Sequence, residues 1–296
     1  MAVARGTTAL TRRIRRSLTR VVDVGARHVL RAPDPGRRRA VLCYHSVDPS
    51  PGYLSLTPDL FDEHLAWLQG HCTVIGLAEL VAGRPRDGGP YVAITFDDGY
   101  VDNRVNALPR LAARGMTATF FVTAGFVERD DEVMTHLCRV WRAPRDQLRP
   151  LSWDQVRELR AAGMSIGSHT WSHRNLARLS SADCEGELRR SREVLEDRLQ
   201  EPIRSIAYPW GSLRRHVTDE TLAAARRAGY ELGVISLPRA VRETDATLRT
   251  PRLGVGAESV ERLTAKVSGT VDWHGYVHER MPAPVARRLF PEDASA

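Results

Sequence analysis

The stretch that most constrains this chain is Tyr91-Val-Ala-Ile-Thr-Phe-Asp97-Asp98-Gly99-Tyr100. Val92, Ala93, Ile94 and Phe96 form a short apolar run, the pattern of a strand buried on both faces. The run stops at two adjacent carboxylates and a glycine. Gly99 permits a tight turn, which puts the carboxylates at the carboxyl end of the strand, where α/β folds carry their chemistry. Two carboxylates against an apolar strand are costly unless a cation or hydrogen-bond donors offset their charge. Alone, Asp-Asp-Gly is also an ordinary loop turn. A second stretch downstream, Ile166-Gly-Ser-His169-Thr-Trp-Ser-His173, favours the chemical reading.

Around this element short strands and helices alternate. Arg39-Ala-Val-Leu-Cys-Tyr44-His45-Ser-Val reads as a first strand ending in His45, and further strands are expected near 74–75, 118–122, 164–166, 204–208, 231–235 and 249–255. Helical periodicity marks 58–68, 77–81, 102–113, 152–162, 181–199, 219–228 and 258–267. Residues 127–150 are expected to be irregular, a charged insertion over one face. The alternation predicts a parallel α/β core, and the number of strands suggests a barrel.

With 296 residues and 42% hydrophobic content, the chain supports one large domain with a proper core. The expected division is an extension over 1–36, a barrel over 37–275 and a tail over 276–296. Leu10, Ile14, Leu18, Val21 and Val22 recur at helical spacing among arginines, before the linker Ala32-Pro-Asp-Pro-Gly36. A basic amphipathic helix of this kind can lie on an anionic membrane surface, dock on a partner or cover the barrel.

The net charge of +7 is carried almost wholly by arginine. Lys266 is the single lysine, which excludes Schiff-base chemistry through any other residue. Basic and acidic residues alternate as on solvated helix faces, and no nucleic-acid-binding motif is present, so no nucleic acid is expected as a partner. Cys43, Cys72, Cys138 and Cys184 are scattered without a CxxC spacing and read as reduced thiols. No run reaches a membrane span, and the N-terminus lacks a continuous apolar signal core. The expected location is the cytoplasm, with peripheral contact at the inner membrane face through the extension.

His169 and His173 are four apart, which on a helical turn places both rings on one face. The spacing alone is weak, and Thr170 follows His169 where a zincin carries glutamate. Two neutral imidazoles and one carboxylate make a three-ligand open site suited to hydrolysis, where a divalent ion brings the pKa of water toward ~7. The adjacent aspartates can supply the third ligand and a separate base, because neighbouring strand side chains point to opposite faces. Mixed nitrogen–oxygen ligation suits Zn2+, and Co2+, Ni2+ or Fe2+ fit the same set.

Asp97-Asp98 within T-F-D-D-G-Y, His169 and His173 within S-H-T-W-S-H, and Ala207-Tyr-Pro-Trp-Gly211 resemble the first three motifs of the polysaccharide deacetylases, carbohydrate esterase family four. The resemblance runs from about residue 38 to 270. It implies a distorted (β/α) barrel that removes acetyl groups from sugars with a divalent metal. Carried over by position, Asp97 is the general base, and Asp98, His169 and His173 are the metal ligands. The Trp210 backbone N–H helps hold the oxyanion. Tyr100 and Tyr208 lie in the same motifs and join Trp171 and Trp210 as candidate oxyanion or substrate contacts; the two tryptophans can stack on a sugar or belong to the core.

The chain departs from the family pattern in three places. Ala207 stands where many members have an arginine that orients the base, and Arg252 in Thr250-Pro-Arg252-Leu is the candidate replacement. The late L-x-H motif that supplies the general acid is missing, and His274 has different surroundings. His45 in Leu42-Cys-Tyr-His45-Ser-Val resembles the Y-H-x-V opening of a branch that includes poly-N-acetylglucosamine deacetylases, and the barrel can bring it to the same rim. Third, no signal peptide is apparent, which directs attention to an intracellular precursor such as a lipid- or nucleotide-linked sugar. The expected activity is metal-dependent removal of an N-acetyl group from an amino sugar or glycan. A deformylase or amidohydrolase on a non-polymeric substrate, and a metal-binding protein without turnover, are the alternatives.

Overall fold

The computed structural model describes residues 38–50, 55–83 and 89–280. The extension over 1–36, and with it the expected membrane-facing helix, lies outside the described residues, as do 281–296 of the tail.

Seven parallel strands close into a ring: β1 Arg39–Tyr44, β2 Tyr91–Phe96, β3 Thr119–Val122, β4 Ser165–Ser168, β5 Ser205–Ala207, β6 Leu232–Ser236 and β7 Thr250–Gly254. They pair in chain order, and β1 closes the barrel by pairing with both β2 and β7. The β1–β2 register runs from Arg39 opposite Tyr91 to Tyr44 opposite Phe96. A short strand, Thr73–Val74, pairs beside the start of β2, and Ser46–Val47 pairs with Ser55–Leu56 at the mouth. The distorted (β/α) barrel is thus the observed architecture.

The helices lie outside: α1 Pro58–His71, α2 Leu77–Val81, α3 Leu108–Ala112, α4 Ala124–Val127, α5 Asp131–Trp141, α6 Trp153–Ala161, α7 Ser181–Leu199, α8 Asp219–Arg227, α9 Val260–Val267 and α10 Asp272–Arg280. Five of these ten are started by a side-chain cap; Ser152 and Gln155 form a full capping box on α6. One expectation is corrected. Residues 127–150 are not irregular, because α5 runs through them, capped by Asp130 and burying Val133, Met134 and Leu137. Its apolar face is narrow and flanked by charges, which hid the periodicity in a window judged by net polarity.

The period of two along the strands sorts the core. Val41, Tyr91, Ala93, Phe121, Ala207 and Val234 pack inside the barrel, whereas Leu42, Tyr44, Val92, Ile94, Phe96 and Phe120 pack under the helices. Thr95 follows Ala93 inward, so Asp97, two residues on, also points inward at the C-terminal mouth. At the opposite end the fully buried Arg239 pairs with Asp245 and Glu279. Arg38 there bridges both oxygens of Asp272 at 2.8 and 2.7 Å, tying α10 to the start of β1.

Candidate active site

The barrel mouth gathers the ends of five strands. Asp97 and Asp98 follow β2, His45 follows β1, His169 follows β4, Trp210 follows β5, and Arg252 lies within β7. Left-handed residues concentrate here: Asp98 (φ 75°), Thr170 (66°), His173 (57°) and Trp210 (56°), with Gly99 (89°) and Gly211 (64°) beside them. Non-glycine residues occupy this region only when their surroundings hold them there.

Asp97 is spanned by Arg252. Nη1 donates to Oδ1 and Nη2 to Oδ2, both at 2.6 Å, and all four groups are buried. Such two-pronged pairing fixes both the position and the plane of a carboxylate. Nη1 also donates to Thr95 Oγ1 at 3.1 Å, whose hydroxyl donates to the Leu42 carbonyl at 2.8 Å. The Cys43 thiol donates to Asp97 Oδ2 at 3.5 Å. Burial would push the Asp97 carboxyl up, but the Arg252 charge, aided by His169 and His45, holds it well below the usual carboxylate range. Burial pushes the Cys43 thiol far up, so it is a neutral donor.

Asp98 turns the other way. Its Oδ1 lies 3.4 Å from His169 Nε2 and 3.4 Å from His173 Nε2, is buried, and has no hydrogen-bond donor among the described residues. The His169 Nδ1–H donates to the Ala207 carbonyl at 2.7 Å, which leaves its Nε2 lone pair directed at Asp98. Burial pushes the His173 imidazole down to about 3, keeping it in the neutral form that ligates metals. Burial opposes a proton on His169, yet the carboxylates of Asp97 and Asp98 outweigh it and raise its pKa. The local field therefore favours positive charge between these groups. One atom each from Asp98, His169 and His173 falls within 4.8 Å of the others, a spacing that fits a divalent cation.

The histidine pair is not on a helical turn. Residues 169–173 form a loop with left-handed Thr170 and His173, and the ring centroids come within 5.0 Å through that path. Cys43, His45 and Asp97 also offer three ligand atoms within 4.8 Å of one another. There, however, Arg252 already neutralises the carboxylate and the thiol holds its proton, so a second cation has no unpaired charge to meet.

The His45 ring is half-buried, and its Nδ1 is buried without a hydrogen-bond partner among the described residues. Trp210 packs its ring 4.6 Å from His173. Burial, with the charges of Asp98 and Asp102 nearby, pushes the Tyr100 phenol far up. Two expected substrate contacts are core side chains instead. Tyr208 follows inward-facing Ala207 and so points outward under the helices, its hydroxyl donating to the Leu248 carbonyl at 3.2 Å. Trp171 is buried beneath Arg190 of α7, whose guanidinium carbon is 3.6 Å from the ring centroid.

Sequence reasoning missed Trp141, Thr95 and Cys43. Trp141 ends the unforeseen α5 and packs against Tyr100, Phe126 and His173 at centroid distances of 5.3, 5.2 and 5.6 Å. For Thr95 and Cys43 a signal existed, since strand alternation places both inward with Asp97.

Comparison with known proteins gives this mouth a lineage. A family model for polysaccharide deacetylase matches residues 84–233, about half of the chain, including Asp97, Asp98, His169, His173 and Trp210. The chain belongs to the polysaccharide deacetylase family. The poly-beta-1,6-N-acetyl-D-glucosamine N-deacetylase of Staphylococcus aureus (strain MRSA252) is 23% identical over 238 residues, covering 76% of this chain and 74% of that protein. YxkH of Bacillus subtilis (strain 168) is 29% identical over 204 residues, covering 68% of this chain and 65% of YxkH, slightly under two thirds of its length. Among solved structures, Streptococcus pyogenes deacetylase PplD superposes with a TM-score of 0.66 and 25% identity, covering 78% of this chain and 99% of PplD. IcaB from Ammonifex degensii gives a TM-score of 0.65 and 26% identity, covering 79% and 98%.

Proposed function

We propose that this polysaccharide deacetylase family member removes the acetyl group from an N-acetylated amino sugar of a glycan. The observation that carries the reading is the asymmetry of the two carboxylates. Asp97 is neutralised by Arg252, whereas Asp98 Oδ1 is buried, lacks a donor among the described residues and faces two imidazole nitrogens. One carboxylate is prepared as a base and the other as a cation ligand. The amino-sugar substrate class is supported by relatives such as the Staphylococcus aureus deacetylase.

Asp98, His169 and His173 would hold a divalent ion, and their nitrogen–oxygen set suits Zn2+, with Co2+, Ni2+ or Fe2+ also compatible. When bound, such an ion supplies Lewis acidity and a water nucleophile at neutral pH. The chain's own groups handle the protons. Asp97 accepts the proton of the attacking water, and Arg252 keeps it ionised and correctly turned. His45, whose ring lies within 4.8 Å of Asp97, donates a proton to the amine nitrogen as the C–N bond breaks. The Trp210 backbone N–H, aimed by two successive left-handed residues, donates to the developing oxyanion. Trp210, Tyr100 and Trp141 give the mouth an aromatic wall against which a sugar face can pack.

The test is acetate release from N-acetylglucosamine oligomers and a lipid-linked N-acetylamino sugar, with and without chelator and zinc add-back, beside Asp97→Asn. Chelator-sensitive release that Asp97→Asn abolishes is the expected result. A full equivalent of bound metal with no release from either would overturn the substrate class, and no bound metal would overturn the mechanism.

A further inference from the structure

The segment that carries His45 pairs with Ser55–Leu56 through Ser46–Val47 on one side, and on the other it is held by side chains that follow the paired aspartates. Immediately after Asp97-Asp98-Gly99-Tyr100, the chain enters a π-helical turn, Asn103–Ala107, in which the Leu108 N–H reaches back to the Asn103 carbonyl. Such turns widen a helix by one residue and re-aim its side chains, and they recur at functional sites. Here the turn and the residue before it present three polar side chains to residues 45–47. Asn103 Nδ2 donates to the His45 carbonyl at 2.8 Å. Asp102 accepts from the Val47 N–H at 2.9 Å and from Ser46 Oγ at 2.8 Å. Asn106 Nδ2 donates to the Val47 carbonyl at 2.7 Å. Asn103 Nδ2 also donates to Asp102 Oδ1 at 3.0 Å, so the clamp is braced within itself.

Asn103 is fully buried and Asp102 is 7% exposed. Polar groups so placed are costly unless hydrogen-bonded, and apolar packing would hold a loop without that cost. What hydrogen bonds add is direction. Four of them on three consecutive residues fix where the backbone of His45 starts and which way it runs.

We propose that Asp102, Asn103 and Asn106 are positioning residues that set His45 against Asp97. The proposal rests on His45 being the leaving-group acid. One continuous segment then carries the base and the metal-ligand aspartate at its start and the grip on the acid at its end. Displacing a reacting group by about 1 Å is enough for roughly a hundredfold loss in rate.

A misplaced acid has a signature that general damage lacks. The amine of an amide must be protonated as it leaves, whereas the phenolate of an aryl acetate leaves unaided. Asn103→Leu and the half-buried Asn106→Leu, metal-loaded, are assayed on N-acetylglucosamine oligomers and on 4-nitrophenyl acetate, beside His45→Ala and His45→Ala/Asn103→Leu. Asn103→Leu should lower kcat on the amide about 10–100-fold, with KM within about twofold and ester hydrolysis unchanged. His45→Ala should show a larger loss of the same selectivity, and the double variant should be no slower than His45→Ala. Wild-type amide kcat in both asparagine variants would overturn the clamp while leaving the acid assignment standing. So would equal losses on amide and ester, which mark a merely structural role. Amide turnover that survives His45→Ala would instead overturn the acid assignment, and the clamp with it. Should Asn103→Leu fail to fold, Asn106→Leu decides by the same ratio.

Discussion

Replacing Arg252 by glutamine tests the central pairing of the site. The guanidinium is 3% exposed and makes two 2.6 Å hydrogen bonds to Asp97 and one of 3.1 Å to Thr95. Arg252→Gln leaves a buried carboxylate without its counter-charge, a loss of about 3–5 kcal/mol when one partner of a buried pair is removed. For a domain of this size, about 2–4 °C per kcal/mol gives a fall in Tm of roughly 6–20 °C. The sign of the pH dependence follows from Asp97. In the wild type burial pushes its pKa up and Arg252 more than reverses this, so the folded value is depressed. Its stabilisation is then complete above the unfolded value of ~3.9 and is lost only as pH falls through the folded one. In Arg252→Gln burial prevails and the folded pKa rises above ~3.9, so the group becomes destabilising at neutral pH. The Tm gap between variant and wild type should therefore narrow toward pH 4. Because a protonated Asp97 cannot accept a proton, the acidic limb of kcat/KM should move upward, with about 10²-fold or more lost near neutrality. Arg252→Lys should recover only part, since one ammonium cannot match a two-pronged carboxylate contact. Profiles of kcat/KM from pH 4.5 to 8 and thermal melts at both ends measure this. An unmoved acidic limb with Tm within about 2 °C of wild type would refute the reasoning.

Three further outcomes are expected. Chelation should lower Tm and zinc should restore it, by about 2.7 kcal/mol at a hundredfold excess over Kd, and calorimetric titration of His173→Ala should show weaker zinc binding. His64 accepts from the Tyr44 hydroxyl at 3.3 Å and donates to the Glu258 carbonyl at 2.7 Å, and burial lowers its pKa. The unfolded chain thus takes up that proton first as pH drops below ~6.5, so stability should fall from pH 7 to 5, and less steeply in His64→Gln by thermal melts. Gly211→Ala should destabilise by about 1–3 kcal/mol in denaturant titration, more than a surface change would. Gly211 has φ 64°, and an added Cβ would come within 2.5 Å of the Ser236 nitrogen.

Legibility in the sequence followed the range of the interaction. The Asp97–Asp98 strand end was readable because apolar run, carboxylates and glycine are adjacent, and strand alternation sends neighbouring side chains to opposite faces. Helix α5 carried a readable signal, Asp130 as cap with Val133, Met134 and Leu137 at helical spacing, diluted by the charges between them. The π-helical turn at Asn103–Ala107 had none, because it answers to the loop it holds as much as to its own residues.

The sequence by itself determined which chemistry the chain carries: paired carboxylates ending a buried strand, two histidines four apart, and an arginine and a further histidine at other strand ends. Only the tertiary structure decided how they combine. Closure of β1 between β2 and β7 brings Arg252 to Asp97 across 155 positions and His45 to the same mouth. A loop with left-handed turns, not a helix, converges His169 and His173 on Asp98, while strand parity removes Tyr208 to the outer core. The physical reason is that residue type and period are local properties, whereas a carboxylate neutralised by arginine beside one turned to two imidazoles is a relation between strands that meet only when the barrel closes.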